Sequence, residues 1–189
     1  GLRAILRQDP NIIMVGEIRD KETAEIALQA SITGHLVFST LHTNDSVASV
    51  HRLFNMSVEP FMIAAALRGV LAQRLLRRLC DRCKKPRPLT EAESKELSFA
   101  VPAGGGYCEP RGCEACFQTG YAGRIPIHEW MSVTREVREL IVRKASLDDL
   151  RTAVSLEGLK TMRQAAVEKA SQGETSLDEV LRVTQMDVV

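Results

Sequence analysis

NIIMVGEIRDKETAEIALQASITGHLVFSTLHT, residues 11–43, decides the fold. It holds two short apolar runs on either side of one amphipathic stretch. The first run, over 11–17, is entered from a turn at Asp9-Pro10. It lacks the polar alternation of a half-solvated strand, which predicts a strand buried on both faces. Asp20 stands where a helix cap belongs. A helix is expected over 21–33, with Ala24, Ala27, Leu28 and Ile32 on one stripe and Gly34 as its stop. A second buried strand is expected over 35–41. Two buried strands joined by one helix of this length form a β-α-β unit, whose strands run parallel with a right-handed crossover. The carboxyl ends of both strands then share one edge.

Open α/β sheets bind ligands outside that edge. Gly16 and Glu17 end the first strand, and Thr40 and His42 end the second, so these four are candidate site residues. His35 begins its strand at the opposite edge. Roughly 23 Å of extended chain separates the two histidines, so on this reading they do not touch one phosphate. An apolar run that breaks at a glycine before a carboxylate is how nucleotide hydrolases often end a core strand. Glu17 can hold magnesium through a bound water or polarise an attacking water, and Thr40 with His42 can sense or stabilise a terminal phosphate. The plain alternative is a solvated loop carboxylate beside a structural histidine. Nucleotide hydrolysis on this scaffold also needs a G-x-x-x-x-G-K-[ST] loop to cradle the phosphates. No glycine of this chain is followed by lysine.

Composition narrows the classes. With 189 residues, 44% hydrophobic and 26% charged, the chain is ordinary globular protein, long enough for one good core or two small units. Its 25 basic and 24 acidic residues leave a net charge of +1, so no global field argues for nucleic acid or anionic lipid. The longest apolar segment, residues 60–67, is far short of the roughly 20 residues that cross a bilayer. The opening GLRAILRQDP has no secretory pattern; it reads as mid-helix and as part of a longer chain.

Cysteine spacing carries a second signal. Cys80-Asp-Arg-Cys83 and Cys113-Glu-Ala-Cys116 are two C-x-x-C pairs with 29 residues between them. Each pair can place two thiolates on one ion, which points to structural zinc with four protein ligands and no open position for chemistry. Gly112 and Gly120 supply permissive backbone beside the second pair. The competing readings are free buried cysteines and disulfides. Cys108, the fifth, is read as a free thiol, with replacement of one of the four ligands as the alternative.

The text LRQDPNIIMVGEIRDKETAEIALQASITGHLVFSTLHTNDS, residues 6–46, closely resembles the Walker B and histidine-box region of the secretion ATPases, the hexameric motors of type II secretion and type IV pilus assembly. LAQRLLRRLCDRC, GCEAC and GYAGRIPIHEWM resemble the tetracysteine subdomain and exit strand of the secretion and pilus-assembly members. The resemblance implies that Glu17 is the Walker B acid and that His35 and His42 are the two histidines of the box, although the strand argument favours only His42 for nucleotide contact. It implies a RecA-like fold whose glycine-rich loop lies upstream of residue 1, with ATP and magnesium as ligands of the intact protein. A homo-hexamer, inner-membrane platform proteins as partners and a cytoplasmic location peripheral to that membrane are implied as well. A cytoplasmic, ATP-using protein seldom keeps disulfides, which favours zinc.

The expected fold class is α/β: a partial RecA-like parallel sheet over 1–79, a tetracysteine zinc subdomain over 80–122, and a mainly helical part over 123–189. His128, beside Pro126 on the exit strand, is read as structural. Residues 74–87 hold seven basic side chains and one acidic one, without aromatics, so base stacking has no support. A solvated helix face or a protein-docking surface is the expectation there, and nucleic acid is not expected as a partner. Thr134, Ser146 and Ser176 read as helix caps, Gly158 and Gly173 as breaks, and Met162, Ala165, Ala166 and Ala170 as a core stripe. The run 103–106 reads as a surface loop. The alternative from another class is a zinc-ribbon module that binds nucleic acid or docks a protein, with the α/β part as scaffold.

Overall fold

A computed structural model of the chain describes residue 8 and residues 10–97 and 106–184. The expected turn residue Asp9, the opening residues 1–7 and residues 103–105 of the expected loop lie outside them. In chain order the elements are β1 (Ile12–Val15), α1 (Lys21–Ile32), β2 (Leu36–Ser39), α2 (Ala48–Asn55), α3 (Pro60–Ala66), β3 (Gly69–Leu79) and β4 (Lys85–Pro86). Then follow α4 (Glu91–Glu96), β5 (Cys108–Glu109), a 3₁₀ turn (Glu114–Cys116), β6 (Tyr121–Ser132), α5 (Arg135–Val142), α6 (Leu147–Leu156), α7 (Met162–Ser171) and α8 (Leu177–Thr184). The chain divides into two compact units, one of Gly1–Leu71 with Trp130–Leu159 and one of Ala72–Glu129 with Lys160–Val189.

In the first unit β1 and β2 pair in parallel, with Ile12 opposite Leu36 and Val15 opposite Ser39. Between them runs α1, started by the Asp20 carboxylate accepting the Thr23 amide at 2.8 Å. Ala24, Ala27 and Leu28 of α1 pack with Val50, Leu53, Ile63, Val137, Ile141 and Leu150 into one core. Each fully buried aliphatic side chain of that set contributes about 1.5–3 kcal/mol. Caps recur where the sequence places them: Thr134 accepts the Val137 amide, and Ser146 forms a capping box with Asp149.

The expected burial of β1 and β2 on both faces is corrected. Ile13 is buried, but Ile12 is 62% and Met14 77% exposed, with Leu36 and Phe38 exposed on β2. An apolar run reads the same whether one face or both are covered, and among the described residues only the face toward α1 has cover.

The second unit has its own core of Leu76, Tyr107, Ile127, Met162, Ala166, Val167, Ala170 and Val180. Its strands are β3 paired with β6 and the short antiparallel pair β4–β5. The Met162-Ala166-Ala170 stripe is core, as expected. The basic stretch is not a helix face. Residues 69–79 form a strand, although Leu, Ala, Gln and Arg are good helix formers; pairing with β6 and burial of Leu76 and Leu79 override local propensity. Four of its basic side chains are in ion pairs within the chain, Arg77 with Glu179, Arg78 and Lys84 with Asp81, and Arg87 with Glu93.

Candidate nucleotide edge and candidate metal centre

The parallel pairing brings Glu17, Thr40 and His42 to one edge of the first unit. Directly past β1, the Gly16 carbonyl accepts a hydrogen bond from Thr40 Oγ1 at 2.6 Å, and the Ile18 amide donates to the Thr40 carbonyl at 3.0 Å. These two bonds lock the strand ends together and fix where Glu17 projects. The Glu17 carboxylate is 2.7 Å from His42 Nε2 and 2.5 Å from Arg19 Nη2. The imidazole is close but not aligned for a hydrogen bond to that oxygen. A hydrogen bond from the Arg19 guanidinium, helped by its charge and that of His42, holds the Glu17 carboxyl below its ordinary range despite partial desolvation. Glu17 is therefore an ionised acceptor at neutral pH, suited to a water proton or a hydrated cation. A Cβ added at Gly16 would meet nothing within 4 Å, so the backbone beside Glu17 faces open space.

His35 is not at this edge. It precedes β2, and its Nδ1 sits 3.0 Å from the Ala30 carbonyl at the end of α1. Sequence reasoning missed Arg19, which a carboxylate followed two residues later by arginine in a turn would signal. It also missed the anchoring of the loop after His42. Asp45 accepts the Ala48 amide at 2.6 Å, capping the start of α2, and pairs with Arg151 of α6 at 2.9 Å. That pair spans 106 positions and leaves no local trace.

The second unit gathers the two cysteine pairs. Cys80, Cys83, Cys113 and Cys116 place their sulfurs within 4.8 Å of one another and can hold a metal ion. The separations are 3.9 Å for Cys80–Cys113 and for Cys83–Cys116, and 3.7 Å for Cys113–Cys116. A tetrahedral ion with sulfur bonds of about 2.3 Å sets neighbouring sulfurs roughly 3.8 Å apart, so the donor set fits. None of the sulfurs is disulfide-bonded. Cys108 stands apart from the four; its sulfur faces the Gly106 carbonyl.

Each pair sits on a tight turn. In the first, the Cys83 and Lys84 amides donate to the Cys80 carbonyl at 3.2 and 3.0 Å. In the second, the Cys116 and Gln118 amides do the same to Cys113 at 3.2 and 2.9 Å. Gly112 and Gly120 have φ of +100° and +77°, and a Cβ would lie 2.8 Å from the Gln118 carbonyl oxygen at the former and 2.4 Å from Pro110 at the latter. Neither position admits a larger residue without movement. The Gly120 backbone serves both turns: its carbonyl accepts the Cys80 amide at 2.9 Å and its own amide donates to Cys116 Sγ at 3.3 Å. Desolvation pushes both thiols of the second pair up: it leaves Cys113 at about 11, whereas at Cys116 the Cys113 and Gly120 amides outweigh it and bring the thiol down to about 6. Such amide-to-sulfur bonds favour the thiolate that a metal requires. His128, on β6, has its Nε2 3.2 Å from Gln73 Oε1.

Among the described residues no helix is long and apolar enough to cross a membrane. A family model described as Type II/IV secretion system protein matches residues 1–182. The chain is 48% identical over 187 residues to Type II secretion system protein E of Aeromonas hydrophila, covering 99% of this chain and 37% of that protein. It is 52% identical over 186 residues to the Type IV pilus assembly ATPase PilB of Thermus thermophilus, covering 97% and 21%. The chain thus spans well under half the length of these curated relatives. Among solved structures, it resembles the pilus retraction motor PilT with bound ADP at a TM-score of 0.65 and 29% identity, covering 96% of this chain and 42% of that one.

Proposed function

The chain belongs to the type II/IV secretion system protein family, and from that premise we propose that it is the carboxyl-terminal part of a hexameric ATPase motor powering type II protein secretion or type IV pilus assembly. The observation that carries this reading is the 2.7 Å contact of Glu17 with His42 at the carboxyl ends of two parallel strands. Glu17 orients or polarises the attacking water, or holds hydrated magnesium; His42 and Thr40 answer to the terminal phosphate, beside the open backbone of Gly16. Glu17 would hold magnesium bound with ATP, and that ion would supply neutralisation of phosphate charge. His35 steadies the far end of β2 instead of meeting nucleotide directly. The phosphate-cradling loop comes from residues upstream, because this chain contains no glycine followed by lysine.

The tetracysteine centre holds one structural zinc through Cys80, Cys83, Cys113 and Cys116. It closes the fold of the second unit and leaves no ligand position for a reacting water. The intact motor is cytoplasmic and reaches the inner membrane through platform proteins. Nucleic acid is not a partner, in keeping with a basic stretch that lacks aromatic residues and in which Arg77, Arg78, Lys84 and Arg87 are engaged by carboxylates of this chain. The test is turnover and metal analysis on the purified chain. The expected result is one zinc per chain and no ATP hydrolysis above background, with turnover restored in the full-length protein. Hydrolysis by the chain itself, in a preparation shown free of contaminating ATPase, would overturn the reading.

A further inference from the structure

Residues 173–179, some sixty positions beyond the second cysteine pair, are bonded to both strands that carry the metal centre. Glu179 is fully buried. Its carboxylate accepts the Arg77 backbone amide at 2.9 Å, Arg77 Nε and Nη2 at 2.9 and 2.7 Å, and Arg182 Nε and Nη2 at 2.8 and 2.7 Å. Thr175 Oγ1 donates to the Arg77 carbonyl at 2.8 Å, and the Leu79 amide donates to the Glu174 carbonyl at 2.9 Å. The last residues of β3 before Cys80 are therefore committed, along one edge, to this segment. Just after Cys83, Lys84 Nζ donates to the Gly173 carbonyl at 3.0 Å.

The same segment reaches β6. The Arg77 guanidinium lies 4.1 Å over the Tyr121 ring, and the Tyr121 hydroxyl is 2.7 Å from Ser176 Oγ. Tyr121 follows Gly120, the residue whose backbone bonds Cys80 and the Cys116 sulfur. A buried carboxylate with five donors is expensive to leave unpaired, so Glu179 holds the end of β3 to α8, while Ser176 and the Arg77–Tyr121 stack carry the connection on to β6.

We infer that residues 173–179, centred on Glu179, are a positioning device for the tetracysteine centre, fixing the spacing of its two turns and so setting how tightly the metal is retained. The inference rests on the zinc reading above. It differs from a general contribution to folding in one respect: metal release should respond to this clamp and not to equal destabilisation elsewhere in the unit.

The experiment measures zinc release to an excess of chromophoric chelator, well below the unfolding temperature, in the purified zinc-loaded protein. Glu179→Gln and Thr175→Val are compared with Val167→Ala, which removes buried volume from α7 in the same core. Glu179→Gln is expected to speed release about tenfold or more, in line with the outer-shell effects seen at metal sites. Thr175→Val should act in the same direction and less, and it decides the matter if Glu179→Gln does not fold. Val167→Ala should lower Tm with release unchanged. Release at the wild-type rate in both clamp variants, or Val167→Ala speeding it as much as Glu179→Gln, overturns the inference while leaving the zinc reading intact. A wild-type protein that retains no zinc overturns both.

Discussion

The carboxyl edge of β1–β2 and the tetracysteine centre are both built at strand ends, yet they are finished differently. At the first, His42 is 84% exposed and Arg19 77% exposed, and both lie against the Glu17 carboxylate. At the second, four sulfurs face one another, the Cys113 and Gly120 amides donate to the Cys116 sulfur, and most of the supporting segment is buried. On the proposed reading, the open edge meets a ligand that arrives and leaves, and the closed centre holds an ion that stays. The anchoring follows the same division: Glu179 ties β3 to α8 and Ser176 adds Tyr121 of β6, whereas Glu17 is held by surface ion pairs, which contribute little to stability.

If the centre is closed in this sense, replacing both Cys80 and Cys83 by serine should take zinc from one per chain to none, because two remaining thiolates cannot complete a tetrahedral site. Metal analysis of the purified variant checks this, and retained stoichiometric zinc would break the contrast. At the open edge, His42→Ala in the full-length protein should lower turnover by on the order of a hundredfold or more, with zinc unchanged. His35→Ala, at the other end of β2, should lower thermal stability or assembly more than turnover at saturating ATP. A fully folded His35→Ala ring as inactive as His42→Ala would place both histidines in one functional group.

The clamp also makes a pH-dependent prediction. Burial pushes the Glu179 carboxyl up, but hydrogen bonds from Arg182 and Arg77 outweigh it and hold it at about 2. Its folded value is thus depressed below the ordinary value of 4.5. The stability it contributes is present above pH of about 4.5 and is lost as pH falls toward 2, up to on the order of 3 kcal/mol. Denaturant titrations should therefore show wild type well ahead of Glu179→Gln at neutral pH and the gap closing across that acid window. The smallest effect is expected at Thr40→Val, where losing the bond to the Gly16 carbonyl should cost about 1 kcal/mol in unfolding free energy while leaving the metal centre untouched.

Much of this was readable from residues close together in the chain. Asp20, Gly34 and the two apolar runs define the β-α-β unit because caps and periodicity act within a few positions. The cysteine pairs announce themselves by spacing. What escaped reading lies at long range. The strand at 69–79 looks helical by composition and is made a strand by β6, some fifty residues later. The Glu179–Arg77 clamp joins residues 102 apart, and Asp45–Arg151 joins residues 106 apart. Ile12 and Met14 show the reverse limit, since hydrophobicity states that a face can be covered and not which element covers it.

On the reading proposed above, Glu17 belongs to an ATP-hydrolysing edge independent of the metal centre. The most direct test is ATP turnover of the full-length protein carrying Glu17→Gln, measured beside its zinc content and its oligomeric state. Turnover is expected to fall by on the order of a hundredfold or more in a folded, zinc-loaded assembly, because a carboxylate needed in the transition state has been neutralised without changing its shape. Wild-type turnover in that variant would contradict that reading.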